Sequence, residues 1–395
     1  MSLTYCIEKH FNWEEGTVKE LENHEGEWLL FVEFNPFTRC CVHCHHDRLY
    51  IKDYRNQKVL LGHWNSQPIF GIVHKRRYLC SNCRKTFYES IPGIGRYQRR
   101  SQDVIRRIQK ACSELISFKT IAKMQGISVS SVIRYFDRLT VPPPKQLPEI
   151  LSLDEFRGNA RGQRYQVAVN NPRTHEILDI LPNRNTLEII HYFSRFPRKE
   201  RMKVKFVVMD LSPLFRRVVQ TMFPYATIIG DRFHIQRLVI WALERVRKKV
   251  QNHFREKRIY FKRNKHILNK KGKNLTAEEF DRLHEILKQS PELQRAYALK
   301  EAFFKVFSMK EPDSVTHFLT QWLHLVEESG VGEFSSVLKT FKDWRQAILN
   351  GLTQVYSNGF TEGMNNKIKV LKRVAFGFRN FERFRARILW TSLRN

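Results

Sequence analysis

Glu362 is the only acidic residue between Asp343 and Glu382, in the stretch Ser357-Asn-Gly-Phe-Thr-Glu-Gly-Met-Asn-Asn-Lys-Ile-Lys-Val-Leu-Lys-Arg. Lys367, Lys369, Lys372, Arg373 and Arg379 all follow it. A solitary carboxylate beside a cationic stripe suits a site that holds a metal against phosphate, provided partner carboxylates reach it. Two stand upstream. Asp154 sits inside Ile150-Leu-Ser-Leu-Asp-Glu-Phe, a strand-like run where a charge needs a reason, and Asp210 ends the apolar run Phe206-Val-Val-Met. Three such carboxylates repel one another and repel a polyanion unless divalent cations neutralise them. Two Mg²⁺ ions about 3.5–4 Å apart can activate a water or a 3′-hydroxyl and stabilise the leaving oxygen of an in-line phosphoryl displacement. Each acid alone has a plainer role: Glu362 at a helix start, Asp154 capping a turn, Asp210 capping the helix that starts at Ser212.

The second reactive set is sulfur. Cys41-Val-His-Cys44 and Cys80-Ser-Asn-Cys83 are two Cys-x-x-Cys turns 35 residues apart. Such a pair presents four thiolates to one tetrahedral zinc and closes a small module, here a structural site with no open position. Cys40 and His43 are alternative ligands. Five of the seven cysteines fall between positions 40 and 83, in a pattern of metal binding rather than of disulfides.

The elements that must position these groups follow from texture. Residues 1–34 are acidic, with eight Glu against Lys9 and Lys19, and are expected to form a separate element. Residues 35–95 are expected to form a zinc ribbon, with short strands at Val59-Leu-Leu-Gly and Arg76-Arg-Tyr-Leu-Cys. Arg76, Arg77, Arg84 and Lys85 give it a DNA-contacting surface. Over residues 96–140 three helices can be written. Ser117 and Ser128 cap the second and third, and Gly126 ends the second. In the third, Val129, Val132, Ile133, Phe136 and Leu139 are predicted to face inward, leaving Ser130, Ser131, Arg134, Tyr135 and Arg138 for DNA. This is a helix-turn-helix pattern, flanked by Arg96, Arg99, Arg100, Arg106 and Arg107. Residues 141–149 (Val-Pro-Pro-Pro-Lys-Gln-Leu-Pro-Glu) form a semi-rigid linker.

Beyond it, Ile150–Phe156, Tyr165–Asn170 and Glu176–Leu181 read as a three-stranded meander. A helix near Leu187–Phe193, a strand around Val204–Leu211, a helix over Pro213–Met222, a strand from Ala226 and a helix opened by Asp231-Arg-Phe-His234 follow. Three antiparallel strands and then two crossover strands is the order of the ribonuclease-H-like fold. Residues 235–350 are expected to be an all-helical insertion, with a capping box at Thr276 and Glu279 and a cap at Ser314. Between Arg245 and Lys273 there are thirteen basic residues and one acid, Glu256, a density suited to tracking phosphates. Ser357, Asn358 and Gly359 then turn the chain into a helix. Asn365 and Asn366 lie one turn beyond Glu362 on the same side.

The 395 residues carry 69 Lys and Arg against 39 Asp and Glu, a formal charge of +30. The partner is therefore a polyanion, nucleic acid first and an anionic membrane surface second. No apolar run approaches 18 residues and the N-terminus lacks a signal-peptide pattern, so a soluble intracellular chain is expected.

The string around Glu362, with Val-Val-Met-Asp210 and Leu-Asp154-Glu-Phe before it, resembles the bacterial insertion-sequence transposases of the DDE class, most closely their ISL-three group. The resemblance covers nearly the whole chain: ribbon, helix-turn-helix, a core of residues 150–234 and 351–395, and the insertion. It implies that Asp154, Asp210 and Glu362 bind Mg²⁺ or Mn²⁺ and that the product is recombined DNA. It implies also that Asp231 and His234 match an Asp-x-x-His signature near the active site. Without it, Asp231 is equally an N-cap and His234 an ordinary half-buried histidine. The doubled Cys40-Cys41 departs from the single Cys usual there. The resemblance further implies recognition of terminal inverted repeats in double-stranded DNA, a homodimer or larger synaptic complex, and a nucleoid-associated place in the bacterial cytoplasm. A DNA-binding regulator with an inactive core, or a nuclease that stops at hydrolysis, shares parts of this pattern; strand joining separates the last.

Overall fold

A computed structural model describes residues 16–392 other than 37, 92, 310, 357 and 358. The described residues are mixed α and β, with two mixed sheets and many helices, and fall into two units that divide after Val141, with Val374–Phe376 grouped with the first.

The first unit holds β1 (Gly16–His24), β2 (Glu27–Phe34), β3 (Leu49–Trp64), β4 (Gln67–Cys80) and β5 (Thr86–Tyr88). They form one sheet in the order β1-β2-β4-β3, with β5 on β4. Two-residue turns close both long hairpins. Glu25 and Gly26 (φ 46° and 89°) and Asn65 and Ser66 (φ 45° and 67°) are left-handed, which matches the twist of the flanking strands. Residues 16–34, expected as a separate element, instead extend the ribbon's sheet. β2 runs parallel to β4, and Leu30, Val32 and Phe34 share a core with Val59, Leu61, Ile69 and Val73. Residues 1–15 of that acidic segment lie outside the described residues.

Three helices follow: α1 (Gln102–Ala111), α2 (Phe118–Met124) and α3 (Val129–Phe136). Each is capped by a serine, Ser101, Ser117 or Ser128, whose hydroxyl accepts an N–H of the first turn. Gly126 (φ 57°) makes the turn between α2 and α3. The buried stripe of α3 is rotated from the expected one: Ser131, Val132, Tyr135 and Phe136 are inside and Val129 is exposed. Ser131 is drawn inward by its cap, accepting from the Ser128 hydroxyl at 2.9 Å. Tyr135, one turn on, accepts from Arg100 Nη1 at 3.3 Å. Ser131 and Tyr135 are therefore packing residues, while Ser130, Arg134 and Arg138 remain exposed.

The second unit is built on β6 (Ile150–Phe156), β7 (Gln166–Asn171), β8 (Glu176–Leu181), β9 (Phe206–Met209) and β10 (Thr227–Gly230), in the order β10-β9-β6-β7-β8. β6, β7 and β8 are antiparallel, and β6, β9 and β10 are parallel. Every residue of β6 except Glu155 is buried, as expected of a central strand covered on both faces. Helices α4 (Thr186–Ser194), α5 (Pro213–Met222) and α6 (Arg232–His253) accompany the sheet. From α6 to Thr353 the described residues are mostly helical and share one hydrophobic core with it. The Thr276–Glu279 capping box forms. Ser314 is not a cap: Pro312, suited to a first helical position, already starts that helix.

The chain returns to the sheet through the Arg345–Thr353 helix, which crosses β10 so closely that a Cβ on Gly351 would sit 2.1 Å from the Gly230 carbonyl oxygen. Arg232 donates to the carbonyls of Gly351 (2.6 Å), Leu352 (3.2 Å) and Gln354 (2.6 Å), which satisfies that helix's C-terminus. Ser357 and Asn358, expected to cap the next helix, lie outside the described residues. That helix, Gly359–Val374, carries Glu362, and Phe381–Ser392 is the last one. Among the described residues no helix is long and apolar enough to cross a membrane.

Candidate functional site

β6 and β9 run side by side with Leu153 level with Met209. The next residue in each case is an aspartate, Asp154 within β6 and Asp210 directly after the end of β9, so the two leave neighbouring strands at the same height. Asp154 is 8% exposed. Burial pushes both carboxyls up to about 6, against the relief given by the nearby His234 charge. For Asp210, the negative charge of Asp154 adds to that rise. Asp231 caps α6 through Phe233 N–H at 3.4 Å, and its other oxygen pairs with His234 Nδ1 at 2.7 Å. Burial alone would lower His234; the hydrogen bond and charge of Asp231 more than reverse this and raise it. Two acids and an acid–imidazole pair thus share one electrostatic neighbourhood.

Thr361 fixes the Glu362 helix to this neighbourhood. It is 1% exposed, and its hydroxyl meets Asn170 Nδ2 on β7 at 3.2 Å and Ser152 Oγ on β6 at 3.3 Å. Met364, Ile368 and Leu371 continue the inward face at helical spacing. One turn after Thr361, Asn365 donates to Asp154 Oδ2 at 2.7 Å. Glu362 lies beside Thr361 on the exposed side of the helix. Among the described residues, the one group of three or more His, Cys, Asp or Glu side chains placed to hold a metal is made of cysteines, so Glu362 does not complete such a group with Asp154 and Asp210. Asn365, Thr361 and Asn170 join the site as contacts that the sequence marks only weakly. The available signals were Asn365 one turn beyond Glu362 and a polar Asn170 ending an apolar strand.

The oxygens of this neighbourhood fit a divalent cation. Asp210 Oδ1 and Asn365 Oδ1 are both buried with no hydrogen-bond partner, a state that native proteins rarely leave uncompensated. Carboxylate and amide oxygens are the hard donors that Mg²⁺ and Mn²⁺ prefer.

The sulfur site is compact. Cys41, Cys44, Cys80 and Cys83 place their Sγ atoms within 4.8 Å of one another, with the Cys41–Cys83 and Cys44–Cys80 pairs at 3.6 Å. Tetrahedral Zn–S bonds of about 2.3 Å put sulfurs about 3.8 Å apart, so the set fits zinc. Each pair rides on a tight turn: His45 N–H reaches Cys41 O at 2.9 Å and Arg84 N–H reaches Cys80 O at 3.1 Å. Cys40 is exposed and outside the cluster, as is His43, whose ring packs edge-on to Phe87 at 6.1 Å.

The basic residues expected at DNA divide. Arg76 is buried, donating to Glu89 Oε2 (3.2 Å), Phe34 O (2.8 Å) and Glu33 Oε1 (3.2 Å). It ties β4 to β2 and the end of β5, so its guanidinium is committed to packing rather than to the surface. Arg77 is half-buried between Asp53 (3.3 Å) and Thr86 (3.1 Å). Lys367, Lys369 and Arg373 are exposed on the Glu362 helix, whereas Lys372 donates to Arg157 O at 2.6 Å.

Residues 151–388 match the family model of ISL-three DDE transposases, described as a transposase. The chain is 27% identical over 341 residues to the transposase for insertion sequence element IS1001 of Bordetella parapertussis, covering 80% of this chain and 81% of that one. It is 25% identical over 307 residues to the transposase for insertion sequence element IS1557 of Mycobacterium tuberculosis, covering 70% and 68%. A Lactococcus lactis protein named as an ATP-dependent protease is 41% identical over 113 residues, only 28% of this chain and 34% of that one.

Proposed function

The chain belongs to the ISL-three family of insertion-sequence transposases, DNA-joining enzymes that depend on divalent metal, and from that premise we propose that Asp154, Asp210 and Glu362 are its catalytic carboxylates. The observation that carries this reading is the placement of Asp154 and Asp210 at one height on parallel strands. Asp210 Oδ1 is buried with no hydrogen-bond partner, and Asn365 links Asp154 to the Glu362 helix. The strand order β10-β9-β6-β7-β8 supports a ribonuclease-H-like core over residues 150–234 and 351–395, interrupted by a helical insertion at 235–350.

Asp154 and Asp210 would hold Mg²⁺ or Mn²⁺ together with Glu362, which moves in from the exposed side of its helix when cation and DNA arrive. The bound cation supplies Lewis-acid activation of water or a 3′-hydroxyl and stabilisation of the leaving oxygen. Asn365 orients Asp154, and His234, held by Asp231, sets its positive charge beside both aspartates, partly offset by the charge of Asp231. Lys367, Lys369 and Arg373 attract the phosphate backbone. No covalent protein nucleophile is required.

In the first unit, α2, the Gly126 turn and α3 support a helix-turn-helix over residues 96–140 that offers Ser130, Arg134 and Arg138 to a groove. With the zinc ribbon at 35–95, and joined through the 141–149 linker, it would recognise terminal inverted repeats. Cutting two ends together calls for a dimer or larger synaptic complex, working on the bacterial nucleoid. Nicking and joining of end-bearing DNA by the wild type and by Asp210→Asn tests the assignment.

A further inference from the structure

Outside the carboxylate neighbourhood, α6 carries three side chains at four-residue spacing: Phe233, Arg237 and Trp241. That spacing stacks them along one side of the helix. Phe233 and Trp241 are 47% and 49% exposed, so the two large rings form an exposed aromatic patch along the helix rather than single exposed residues. The Arg237 guanidinium bridges them, 5.5 Å from the Phe233 ring centre and 4.5 Å from that of Trp241. At one end of this ladder the Phe233 ring meets His234 edge-on at 5.7 Å, so the ladder begins beside the two aspartates. At the other end opens a cavity of about 380 Å³, lined by Trp241, Arg245, Lys248 and Lys265. Glu244 also faces it, but Arg247 at 2.7 Å and Lys265 at 3.5 Å neutralise that charge. The cavity is left cationic beside an aromatic face.

We propose that this ladder and cavity hold an unpaired stretch of DNA, with a base stacked on Trp241 and phosphates against Lys248 and Lys265. The choice of ligand follows from the chemistry of the surface. Bases in a duplex already stack on their neighbours and offer no face to a protein ring, whereas an unpaired strand offers both faces and phosphates. The location agrees. Ten residues of helix separate Asp231 from Trp241, about 15 Å at 1.5 Å per residue, a few nucleotides from the site of cutting. The proposal rests on the transposase reading of that site, because breaking a strand at an element end is what frees unpaired DNA there.

The test uses the full chain and a short oligothymidylate, read by fluorescence anisotropy and by quenching of tryptophan emission. Trp241→Ala should weaken oligothymidylate binding by about 5- to 150-fold, the range for loss of one base–aromatic stack. Trp241→Phe should retain most of the affinity while losing most of the quench. Lys248→Ala should flatten the salt dependence of binding. Oligothymidylate affinity that is equal in wild type and Trp241→Ala overturns the proposal, as does a wild type that binds no oligothymidylate. A Trp241→Ala protein that changes its oligomeric state but binds oligothymidylate normally overturns it too, and makes the ladder a protein interface. Cleavage of duplex ends by the wild type, assayed in parallel, separates the two claims. Cutting without Trp241-dependent binding removes only this proposal, and Trp241-dependent binding without cutting removes only the catalytic reading.

Discussion

Asn365 and Asp154 are 211 residues apart in the chain, yet the Asn365 side-chain amide donates to Asp154 Oδ2 at 2.7 Å. This bond joins the central strand of the core sheet to the helix that brings Glu362. It acts on the carboxylate most in need of orientation, since Asp154 is buried and its ordinary solvation is gone. The Thr361 hydroxyl fixes the same helix one turn earlier, against Ser152 and Asn170. Glu362 therefore starts from a helix that is already anchored.

Removing the Asn365 amide should loosen Asp154 without touching DNA. Asn365→Ala is expected to raise the Mn²⁺ concentration needed for half-maximal cleavage about 10- to 100-fold, the usual effect of losing a partner that orients a metal ligand. End-DNA affinity should stay within about twofold by the same reasoning. An unchanged metal requirement in a merely less stable protein would assign Asn365 a packing role instead.

The raised carboxyls make the metal-free fold sensitive to pH. Asp154 and Asp210 sit at about 6 against an ordinary 3.8. A raised value means that the stability each contributes is complete below about 3.8 and is lost as pH rises through about 6. His234, also raised, acts in the same direction. Ionised, each aspartate costs the fold on the order of 2–3 kcal/mol. Calorimetry of metal-free protein should show Asp210→Asn melting above wild type at about pH 7.5 and close to it at about pH 4. Mn²⁺ should raise the wild-type Tm at the higher pH and leave that of the double variant Asp154→Asn/Asp210→Asn unchanged. Parallel Tm–pH curves for wild type and Asp210→Asn would contradict the account.

The four-sulfur cluster should carry about one zinc per chain by elemental analysis. Cys41→Ala is expected to lose the metal and to unfold the turns around it, while Cys40→Ala retains both. Zinc retained by Cys41→Ala and lost by Cys40→Ala would move the ligand set by one residue.

DNA contacts and packing arginines should separate in a salt titration. Arg134→Ala and Arg138→Ala are each expected to reduce the slope of log affinity for end DNA against log salt by about 1. Arg76→Ala should leave the slope alone and lower the Tm of the first unit, because it strands the buried Glu89 carboxylate. A slope change in Arg76→Ala with no loss of stability would return Arg76 to the DNA surface.

Local chemistry made much of this structure legible in the sequence. Serine and threonine caps at Ser117, Ser128 and Thr276 announce their helices because the signal lies within three residues. The five core strands appear as apolar runs, and Asp154 and Asp210 interrupt or end two of them. What escaped depends on partners far along the chain. Arg76 reads as a surface cation until Glu89 and Phe34 close around it from neighbouring strands. The rotation of α3 comes from a cap bond at Ser131 and from Arg100 reaching Tyr135. The β1–β2 hairpin reads as detached in the sequence because its acidic composition hides the alternating Leu30, Val32 and Phe34 that enter the ribbon's core. The Asn365–Asp154 bond spans almost the whole second unit, and no local pattern predicts it.

The central claim is that Asp154, Asp210 and Glu362 act together, and Glu362 is the exposed member of the three. The most direct measurement is cleavage and strand joining on DNA carrying the element's own ends, with Mn²⁺, comparing wild type with Glu362→Gln at matched end binding. The account predicts metal-dependent nicking and joining by the wild type and neither by the variant. A Glu362→Gln protein that still cuts and joins at the wild-type rate would contradict it.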